Sequence, residues 1–300
     1  MTRRVAVIGG GSSGLACIKC CLDEGLEPVC YESSDDIGGL WKFKENPEPG
    51  RASIYHSVII NTSKEMMCFS DFPIPAHFPN YMHNSLIMDY FRIRDYKTPE
   101  EWRNKKAVVI GIGNSGGDIA VELSRVTKQV YLSTRRGAWI ANRVADNGLP
   151  RDMLNSRKTL LLRQILPFGL TCSMAERKLD NRFDHSLYNL KPKHRLFSQH
   201  PTLNDELPNR ILSGTVQVKP NIRRFQGSSV EFQDGSVVED VDLVVFATGY
   251  RFSFPFLASH VTSVSGNKAS LYKYVFPPEL ERPTLAIIGL VQPLGAIMPI

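Results

Sequence analysis

The chain has 300 residues, 42% of them hydrophobic, and a formal net charge of +6 at pH 7. This length and apolar content are enough for two domains with hydrophobic cores, and they exclude an intrinsically disordered chain. Three of the six cysteines fall within one predicted helix, which favours buried thiols over a disulfide framework. The seven histidines lack the spacing of metal ligands, so we predict no metal site.

The first predicted elements are a strand, a glycine-rich turn and a helix. Val5-Ala6-Val7-Ile8 is typical of a buried parallel strand and runs directly into Gly9-x-Gly11-x-x-Gly14. Glycines at this spacing let the backbone turn tightly and approach a pyrophosphate at a helix N-terminus. Glu32 ends the following strand, where its carboxylate can accept hydrogen bonds from both hydroxyls of an unmodified adenosine ribose. The pattern predicts FAD or NAD at this site, with a glycine turn of an ordinary α/β protein as the alternative.

Few regular elements are predicted between the first glycine turn and residue 94. We expect a short strand at Val58–Ile60 and a helix from about Ser85 to Arg92, within a Pro-rich and irregular stretch. An FAD-type Rossmann domain needs several parallel strands. This domain is therefore predicted to be incomplete.

A second strand, glycine turn and helix follow. Ala107-Val108-Val109-Ile110 precedes Gly111-x-Gly113-x-x-Gly116, so the sequence predicts two bound dinucleotides. The next strand runs from Gln129 to Arg136 and ends in two arginines instead of an acid. Arg135 and Arg136 can pair with a 2′-phosphate that a carboxylate would repel. This favours NADPH at the second site, with a solvated arginine pair as the alternative.

The stretch from about residue 137 to 240 is predicted to be an insert in the second domain, which Leu243-Val-Val-Phe-Ala closes as a returning strand. Within it, residues 141–200 hold eleven Lys or Arg against five Asp or Glu. These charges alternate with apolar groups such as Leu160-Leu-Leu and accompany no nucleic-acid motif, so we predict no nucleic-acid partner. Amphipathic helices in peripheral contact with a membrane fit the pattern, and a solvated helical face is the alternative.

The segment Pro283–Ile300 contains no charge and is about as long as a membrane span. Its prolines and glycines interrupt a helix, so we predict a buried strand at Thr284–Leu290 followed by a loop. No signal peptide is predicted, because the apolar run near the N-terminus is short and forms the first strand.

Several motifs resemble those of the flavin-containing monooxygenases. The stretch Glu32-Ser-Ser-Asp-Asp-Ile-Gly-Gly-Leu-Trp is similar to the segment that cradles the flavin in that family. Similar motifs follow in the same order along nearly the whole chain: Asn61-Thr-Ser-Lys-Glu-Met-Met-Cys-Phe-Ser-Asp-Phe-Pro, Gly111-Ile-Gly-Asn-Ser-Gly-Gly-Asp, Ser133-Thr-Arg-Arg-Gly-Ala-Trp-Ile, Leu203-Asn-Asp-Glu-Leu-Pro, Ala247-Thr-Gly-Tyr and Gly289-Leu-Val-Gln-Pro-Leu-Gly.

The resemblance implies an α/β fold with two Rossmann-like dinucleotide-binding domains. We expect residues 1–94 to form a partial FAD domain, 95–249 an NADPH domain with the inserted helical segment, and 250–300 a truncated return to the FAD domain. Asn61 is implied as the catalytic residue, at the oxygen-reacting face of the flavin. Further cofactor-binding residues are implied by the matched motifs: Gly39, Leu40, Trp41 and Asn61 for FAD, and Asn114, Ser115, Ser133, Thr134 and Arg135 for NADPH.

Two parts of the family pattern are missing. A Phe-x-Gly-x-x-x-His signature that precedes the second glycine turn in the family is reduced here to Arg94-Asp-Tyr-Lys97, which predicts an internal deletion near Ile93. The family continues past Ile300 into more of the flavin domain and a hydrophobic anchor. We interpret the chain as a splice form or an incomplete gene model.

The activity implied by the resemblance is an NADPH- and FAD-dependent monooxygenation. NADPH reduces FAD, O₂ adds to give a C4a-hydroperoxyflavin, and a small-molecule substrate takes the oxygen. Soft nucleophiles such as amine nitrogen or thioether sulfur are the expected substrates, or ketones in some members. The alternatives are an uncoupled NADPH oxidase that produces hydrogen peroxide and a catalytically inactive nucleotide-binding form. By family, the expected location is the cytosolic face of the endoplasmic reticulum membrane, with a cytoplasmic location as the alternative.

Overall fold

The computed structural model describes residues 3–45, 53–69, 73–91, 103–145, 148–154, 156–249, 251, 253–258 and 260–291. The chain divides into two compact units. Unit 1 comprises Met1–Tyr96 and Gly249–Ile300, and unit 2 comprises Lys97–Thr248. The predicted deletion near Ile93 and the remnant at 94–97 lie outside the described residues.

Unit 1 begins with a β-α-β element. Strand β1 (Arg4–Ile8), helix α1 (Ser12–Asp23) and strand β2 (Glu27–Tyr31) follow the predicted order, and the two strands pair in parallel with Ile8 opposite Tyr31. Within the described residues this sheet has two strands. Ile8 is 60% exposed and Tyr31 is 59% exposed, so much of the sheet's apolar surface is uncovered.

The remainder of unit 1 forms a small second core. Its helices are α2 (Lys64–Met67) and α3 (Asn84–Phe91), and a 3-10 turn lies at Gly39–Trp41. The helix predicted from about Ser85 is confirmed. The core consists of buried apolar side chains from these elements and the chain between them: Ile60, Met67, Ile74, Met82, Ile87 and Tyr90.

Two predicted strands of unit 1 are wrong. Val58–Ile60 is reduced to an isolated antiparallel bridge between Ile59 and His83. Thr284–Leu290 has no strand assignment, although the backbone N–H of Ile287 donates to the carbonyl of Val275 at 2.9 Å. A β-hairpin precedes this segment, and its two strands, Val264–Ser265 and Lys268–Ala269, have two residues each.

Unit 2, as far as its residues are described, is built on a parallel sheet of four strands. Strand β3 (Lys106–Ile110), helix α4 (Asn114–Leu123) and strand β4 (Gln129–Ser133) repeat the β-α-β arrangement of unit 1. The further elements of unit 2 follow in chain order: β5 (Ile140–Ala141), a 3-10 turn (Arg151–Leu154), α5 (Arg157–Ile165), α6 (Phe168–Asp180), a 3-10 turn (Leu196–Ser198), β6 (Thr202–Leu203), α7 (Leu207–Leu212), β7 (Val216–Lys219), β8 (Ile222–Gln226), β9 (Ser229–Phe232), β10 (Val237–Val238) and β11 (Leu243–Phe246).

The order of the sheet is β11-β3-β4-β7, with every pair parallel. Strand β7 therefore belongs to the sheet, although it lies in the range predicted as an insert. Strands β3 and β4 occupy the centre, and their side chains at Val108, Val109, Val130 and Leu132 are fully buried. Continuous apolar strands of this kind are typical of a parallel sheet covered on both faces.

Both faces of the sheet are covered by other parts of unit 2. The antiparallel meander β8-β9-β10 buries Val230, Phe232 and Val238 in one cluster with Val108. On the other face, Val109 belongs to a cluster with Ala120 of α4 and other buried side chains. The unit therefore has three layers: meander, sheet and helices.

The helical insert contains α5 and α6. Helix α6 buries Cys172 and Leu179, and Leu179 packs in a cluster with Trp139. Apolar side chains are exposed on both helices: Leu161, Leu162, Ile165, Phe168, Leu170 and Met174. Among the described residues, no helix combines the length and apolarity that a membrane crossing requires.

Candidate dinucleotide sites

The first glycine turn connects β1 to α1. Gly9 has a φ of +107°, a conformation that strongly favours glycine. Gly11 caps α1 without a side-chain hydrogen bond, which leaves first-turn N–H groups available to an anion. A Cβ at position 14 would overlap the carbonyl oxygen of Gly9, so only glycine lets the helix approach the turn this closely.

The end of β2 lies against the same turn, as predicted for Glu32. Its carboxylate accepts hydrogen bonds from the backbone N–H of Gly10 at 2.6 Å and of Ser34 at 2.8 Å. The N–H of Gly38 donates to the carbonyl of Gly10 at 2.9 Å, which brings Gly39 beside Gly11. The structure therefore gathers the first fingerprint, Glu32 and Gly39 into one concave region.

The other predicted flavin residues lie at different depths in unit 1. Leu40 is 46% exposed, whereas Trp41 packs against the second core. Asn61 is partly buried and stands between buried Ile60 and Thr62. Its catalytic role stays a prediction.

The second glycine turn repeats the geometry of the first. Gly111 has a φ of +106°, and Gly113 caps α4 without a side-chain hydrogen bond. A Cβ at position 116 would overlap the carbonyl oxygen of Gly111. A Cβ at position 113, in contrast, would meet no protein atom within 4 Å. The space in front of the helix is therefore open at the place where a pyrophosphate would approach, beside Asn114 and Ser115 in the first turn of α4.

The end of β4 carries the residues predicted to recognise the 2′-phosphate. Ser133 is buried, and its hydroxyl donates to the carbonyl of Pro220 at 2.9 Å. The hydroxyl oxygen of Thr134 accepts from the N–H of Gly137 at 3.0 Å. Arg135 and Arg136 are exposed, and neither guanidinium has an ion pair within the described part of the chain. The arginines are thus available to an anion, whereas both hydroxyls already have partners inside the unit.

Hydrogen bonds from residues 202–204 hold the second turn and α4 in place, and the sequence did not predict them; we call these residues the brace. The N–H of Leu203 donates to the side-chain oxygen of Asn114 at 2.8 Å, and the hydroxyl of Thr202 donates to the carbonyl of Ile112. The amide of Asn204 donates to Asp118 of α4. The motif Leu203-Asn-Asp-Glu-Leu-Pro could have indicated this region. Its contact is with a turn about 90 residues earlier, however, and sequence patterns do not reveal such a tertiary contact.

A cleft of about 240 Å³ opens beside this turn. It is lined by residues of the turn and of two segments of the insert: Ile112, Gly113, Asn114, Gly137, Ala138, His194, Gln199, His200, Pro201 and Thr202. The insert therefore supplies walls to the second candidate site.

A family model described as flavin-binding monooxygenase-like matches residues 2–93 and 90–300. The chain belongs to this family. Flavin-containing monooxygenase 5 of Oryctolagus cuniculus is 52% identical over 379 residues, covering 99% of this chain and 71% of the relative. The Homo sapiens protein of the same name is 51% identical with the same coverage. Dimethylaniline monooxygenase [N-oxide-forming] 2 of Oryctolagus cuniculus is 42% identical, covering 100% of this chain and 71% of the relative.

These matches also bear on the predicted deletion. The family match falls into two segments that meet at residues 90–93. The alignment with the relatives spans 379 residues, although this chain has 300. The relatives therefore contain residues that have no counterpart in this chain, which agrees with a deletion near Ile93.

Solved structures show the same fold. S-allyl-L-cysteine S-oxygenase from Allium sativum has a TM-score of 0.61 and 19% identity, covering 95% of this chain and 71% of that one. A flavin-containing monooxygenase from Stenotrophomonas maltophilia has a TM-score of 0.59 and 15% identity, covering 95% and 90%. A steroid monooxygenase bound to NADP has a TM-score of 0.61 and 14% identity, covering 84% and 72%. The predicted α/β fold class with Rossmann-like domains is confirmed.

Proposed function

We propose that this protein is an NADPH- and FAD-dependent monooxygenase, with FAD at the first glycine turn and NADPH at the second. One observation carries the assignment: two turns of the same geometry are followed by strand ends of opposite charge. Glu32 closes the first site, and Arg135 and Arg136 close the second. Because a carboxylate repels a 2′-phosphate and guanidinium groups attract it, the two sites favour different dinucleotides.

The residues of the first site fit the adenosine and pyrophosphate of FAD. The uncapped N-terminus of α1 offers N–H groups to phosphate oxygens. The carboxylate of Glu32 lies against the glycine turn, where it accepts the N–H groups of Gly10 and Ser34. A carboxylate at this strand end suits hydrogen bonds from the two hydroxyls of an adenosine ribose.

The residues of the second site fit NADPH. Gly113 leaves the approach to α4 open, and the helix N-terminus is again uncapped. Arg135 and Arg136 offer planar guanidinium groups with several donors each, which suits bidentate contact with a phosphate. The brace from Thr202 and Leu203 fixes the turn before a ligand arrives.

FAD, when bound, would accept hydride from NADPH and use O₂ to oxygenate a soft nucleophile, such as amine nitrogen or thioether sulfur, or a ketone. The chain itself has to bind both dinucleotides, orient them and exclude water from the oxygen-reacting face. We assign to Asn61 the role of a hydrogen-bonding amide at that face. The relative named as N-oxide-forming supports nitrogen as one acceptor, and the oxygenase that acts on S-allyl-L-cysteine supports sulfur.

The two alternatives are favoured by the open sheet of unit 1. With Ile8 and Tyr31 more than half exposed, the first domain can admit water to the flavin or bind it weakly. The first case would give an NADPH oxidase that releases hydrogen peroxide, and the second an inactive nucleotide-binding protein.

We further propose a peripheral contact with the cytosolic face of the endoplasmic reticulum membrane, with a cytoplasmic protein as the alternative. The exposed Leu162 and Ile165 of α5 lie on the same helix as Arg157 and Lys158. Apolar groups beside cations suit an anionic interface. Sedimentation with anionic and neutral vesicles tests this proposal, and equal recovery in the supernatant with both would contradict it.

Two alanine variants test the assignment of cofactors. A Cβ at Gly113 meets no protein atom within 4 Å, and one at Gly11 lies 3.6 Å from the nearest, so Gly11→Ala and Gly113→Ala should both fold. Each methyl group would obstruct the approach of a pyrophosphate. We expect Gly11→Ala to lose FAD and keep NADP⁺, and Gly113→Ala to do the reverse, as measured by flavin absorbance after desalting and by NADP⁺ titration.

The unsubstituted protein, loaded with FAD and supplied with NADPH, O₂ and a thioether, distinguishes the three activities. Sulfoxide formation supports the monooxygenase, and peroxide equal to the NADPH consumed supports the oxidase. Loss of both cofactors from both folded variants would contradict the two-site assignment.

A further inference from the structure

His185 lies in the helical insert, fully buried, between the rings of Trp139 and Phe183. Its Nδ1 lies 2.8 Å from a carboxylate oxygen of Asp180, and its Nε2 lies 3.0 Å from the backbone nitrogen of Ile140. A backbone N–H can only donate, so Nε2 is the acceptor and Nδ1–H donates to Asp180. The geometry assigns a neutral ring with one defined tautomer.

The strand held by His185 is paired to the brace on the second glycine turn. Strand β5 pairs with β6, where the N–H of Thr202 donates to the carbonyl of Trp139 at 2.8 Å. From β6, the N–H of Leu203 reaches Asn114 of the turn at 2.8 Å. A continuous series of hydrogen bonds therefore runs from His185 through β5 and β6 to α4.

The backbone of His185 supports the same cleft by a second route. Its carbonyl accepts the N–H groups of Leu190 at 2.8 Å and Lys191 at 2.9 Å. The carbonyl of Leu190 in turn accepts the N–H of Ala138 at 2.9 Å, and Ala138 lines the cleft beside Gly113. The ring and the backbone of His185 thus fix adjacent residues of one wall.

We propose that His185 is a positioning residue for the second dinucleotide site: through Ile140, Thr202 and Leu203 it holds Asn114 and the glycine turn in the arrangement that binds NADPH. The proposal rests on the proposed function for its ligand, but the hydrogen-bonded series exists without it. No atom of His185 touches the cleft, so it acts through the residues that do.

The role depends on an uncharged ring. The charged groups that face it are Asp180, Lys191 and Asp184, and Lys191 Nζ lies 3.1 Å from Asp180. Burial lowers the pKa of His185, against the opposing effect of Asp180. Protonation at Nε2 would place a donor against the N–H of Ile140 and leave that buried group without an acceptor.

Two substitutions at His185 separate positioning from packing. His185→Phe fills the space but removes the acceptor for Ile140, whereas His185→Gln keeps an amide oxygen and an N–H donor. Phe183→Leu is the control, because it removes packing against the same ring and leaves both hydrogen bonds. Circular dichroism first establishes a temperature at which all variants are folded.

Amide hydrogen exchange without ligand is the first measurement, on peptides that cover residues 137–142 and 202–205. We expect His185→Phe to accelerate exchange in both segments by roughly tenfold or more, and to raise the NADP⁺ dissociation constant by roughly tenfold. His185→Gln should stay within about threefold of the wild type in both measurements, and Phe183→Leu should lower the melting temperature without changing the dissociation constant.

Unchanged exchange at 202–205 in folded His185→Phe would overturn the proposal. If His185→Phe fails to fold, Asp180→Ala provides the same test. Asp180 is partly exposed, and its loss removes the acceptor that fixes the tautomer of the His185 ring. Exchange should then accelerate in the same two segments. A wild-type protein that does not bind NADP⁺ would refute the proposed function, whereas the exchange experiment would still decide the role of His185.

Discussion

The two glycine turns of this chain have nearly the same local geometry in different surroundings. The φ angles of Gly9 and Gly111 are +107° and +106°. The helix after each turn has a glycine at its N-cap and no side-chain capping hydrogen bond. In the described part of the chain, however, strand β1 belongs to a sheet of two strands, and β3 lies inside a sheet of four that is covered on both faces. The geometry of a glycine turn depends on the residues of the turn itself, whereas the burial of the preceding strand depends on segments that are distant in the sequence.

Because of this difference, phosphate binding by a turn and the stability of the unit around it depend on different residues. Both turns can present N–H groups to a phosphate, because that ability is local. Unit 2 surrounds its turn with a buried core, since Val108 and Val109 of β3 are fully buried, whereas Ile8 of β1 is 60% exposed. We therefore expect equal substitutions to have unequal consequences in the two units.

The largest difference is expected for the third glycine of each fingerprint. A Cβ at either Gly14 or Gly116 overlaps a backbone oxygen, so helix and strand must separate. In unit 2 this separation disrupts a complete core, and Gly116→Ala should lower the free energy of unfolding by about 3 kcal/mol or more. Gly14→Ala should cost less, although it should still release FAD. Urea denaturation followed by circular dichroism measures both, and equal losses would contradict the comparison.

The last residue of each fingerprint strand gives a milder test. Ile110→Ala removes side-chain atoms that pack with the meander, and should cost about 2 kcal/mol. Ile8→Ala, at the matching place in β1, should change the free energy of unfolding by less than about 0.5 kcal/mol. Thermal melting of the two variants compares them, and a larger effect at Ile8 would show that its side chain is covered in solution.

The strand ends differ in ligand preference, which Arg135→Ala tests. Loss of a charge-assisted contact should weaken NADPH binding by about tenfold. NADH lacks the 2′-phosphate, so its affinity should hardly change. Fluorescence titration of both nucleotides provides the measurement. Equal losses for NADPH and NADH would mean that Arg135 does not recognise the 2′-phosphate.

The smallest expected effect is the acid sensitivity that His185 gives to unit 2. Burial lowers the pKa of His185 from its ordinary value of 6.5, so the unfolded chain takes up a proton at a higher pH than the folded chain. As the pH falls below about 6.5, the free energy of unfolding should decrease, by at most about 1.4 kcal/mol per pH unit. The decrease should end once the pH is below the folded pKa. His185→Gln should lack this component, and melting temperatures across this range for both proteins would reveal it. Parallel curves would show that His185 does not titrate differently on unfolding.

Local features of the fold were predictable because they depend on neighbouring residues. The two fingerprints, Glu32 at its turn, helix α3 and strand β11 all follow from short patterns. The strand predicted at Thr284–Leu290 is absent because a strand must pair with a neighbouring strand, and within the described residues this segment pairs with neither β1 nor β2. Gly289 nevertheless lies beside Ser13 of α1, so this segment does reach the first turn.

The supports of the second site were not predictable in the same way. The motif at Leu203 was visible, but its bond to Asn114 joins residues far apart in the sequence. The hydroxyl of Ser133, predicted to bind the cofactor, donates to the carbonyl of Pro220, and a single sequence does not reveal that contact. His185 is one of seven histidines, and only the fold shows that its ring accepts the N–H of Ile140.

The most direct test is the visible spectrum of the purified protein after incubation with FAD and removal of the excess, recorded before and after NADPH is added without oxygen. The account predicts a retained flavin band that NADPH bleaches, because it assigns FAD to the first glycine turn and NADPH to the second. A colourless protein, or a flavin band that NADPH leaves unchanged, would contradict it.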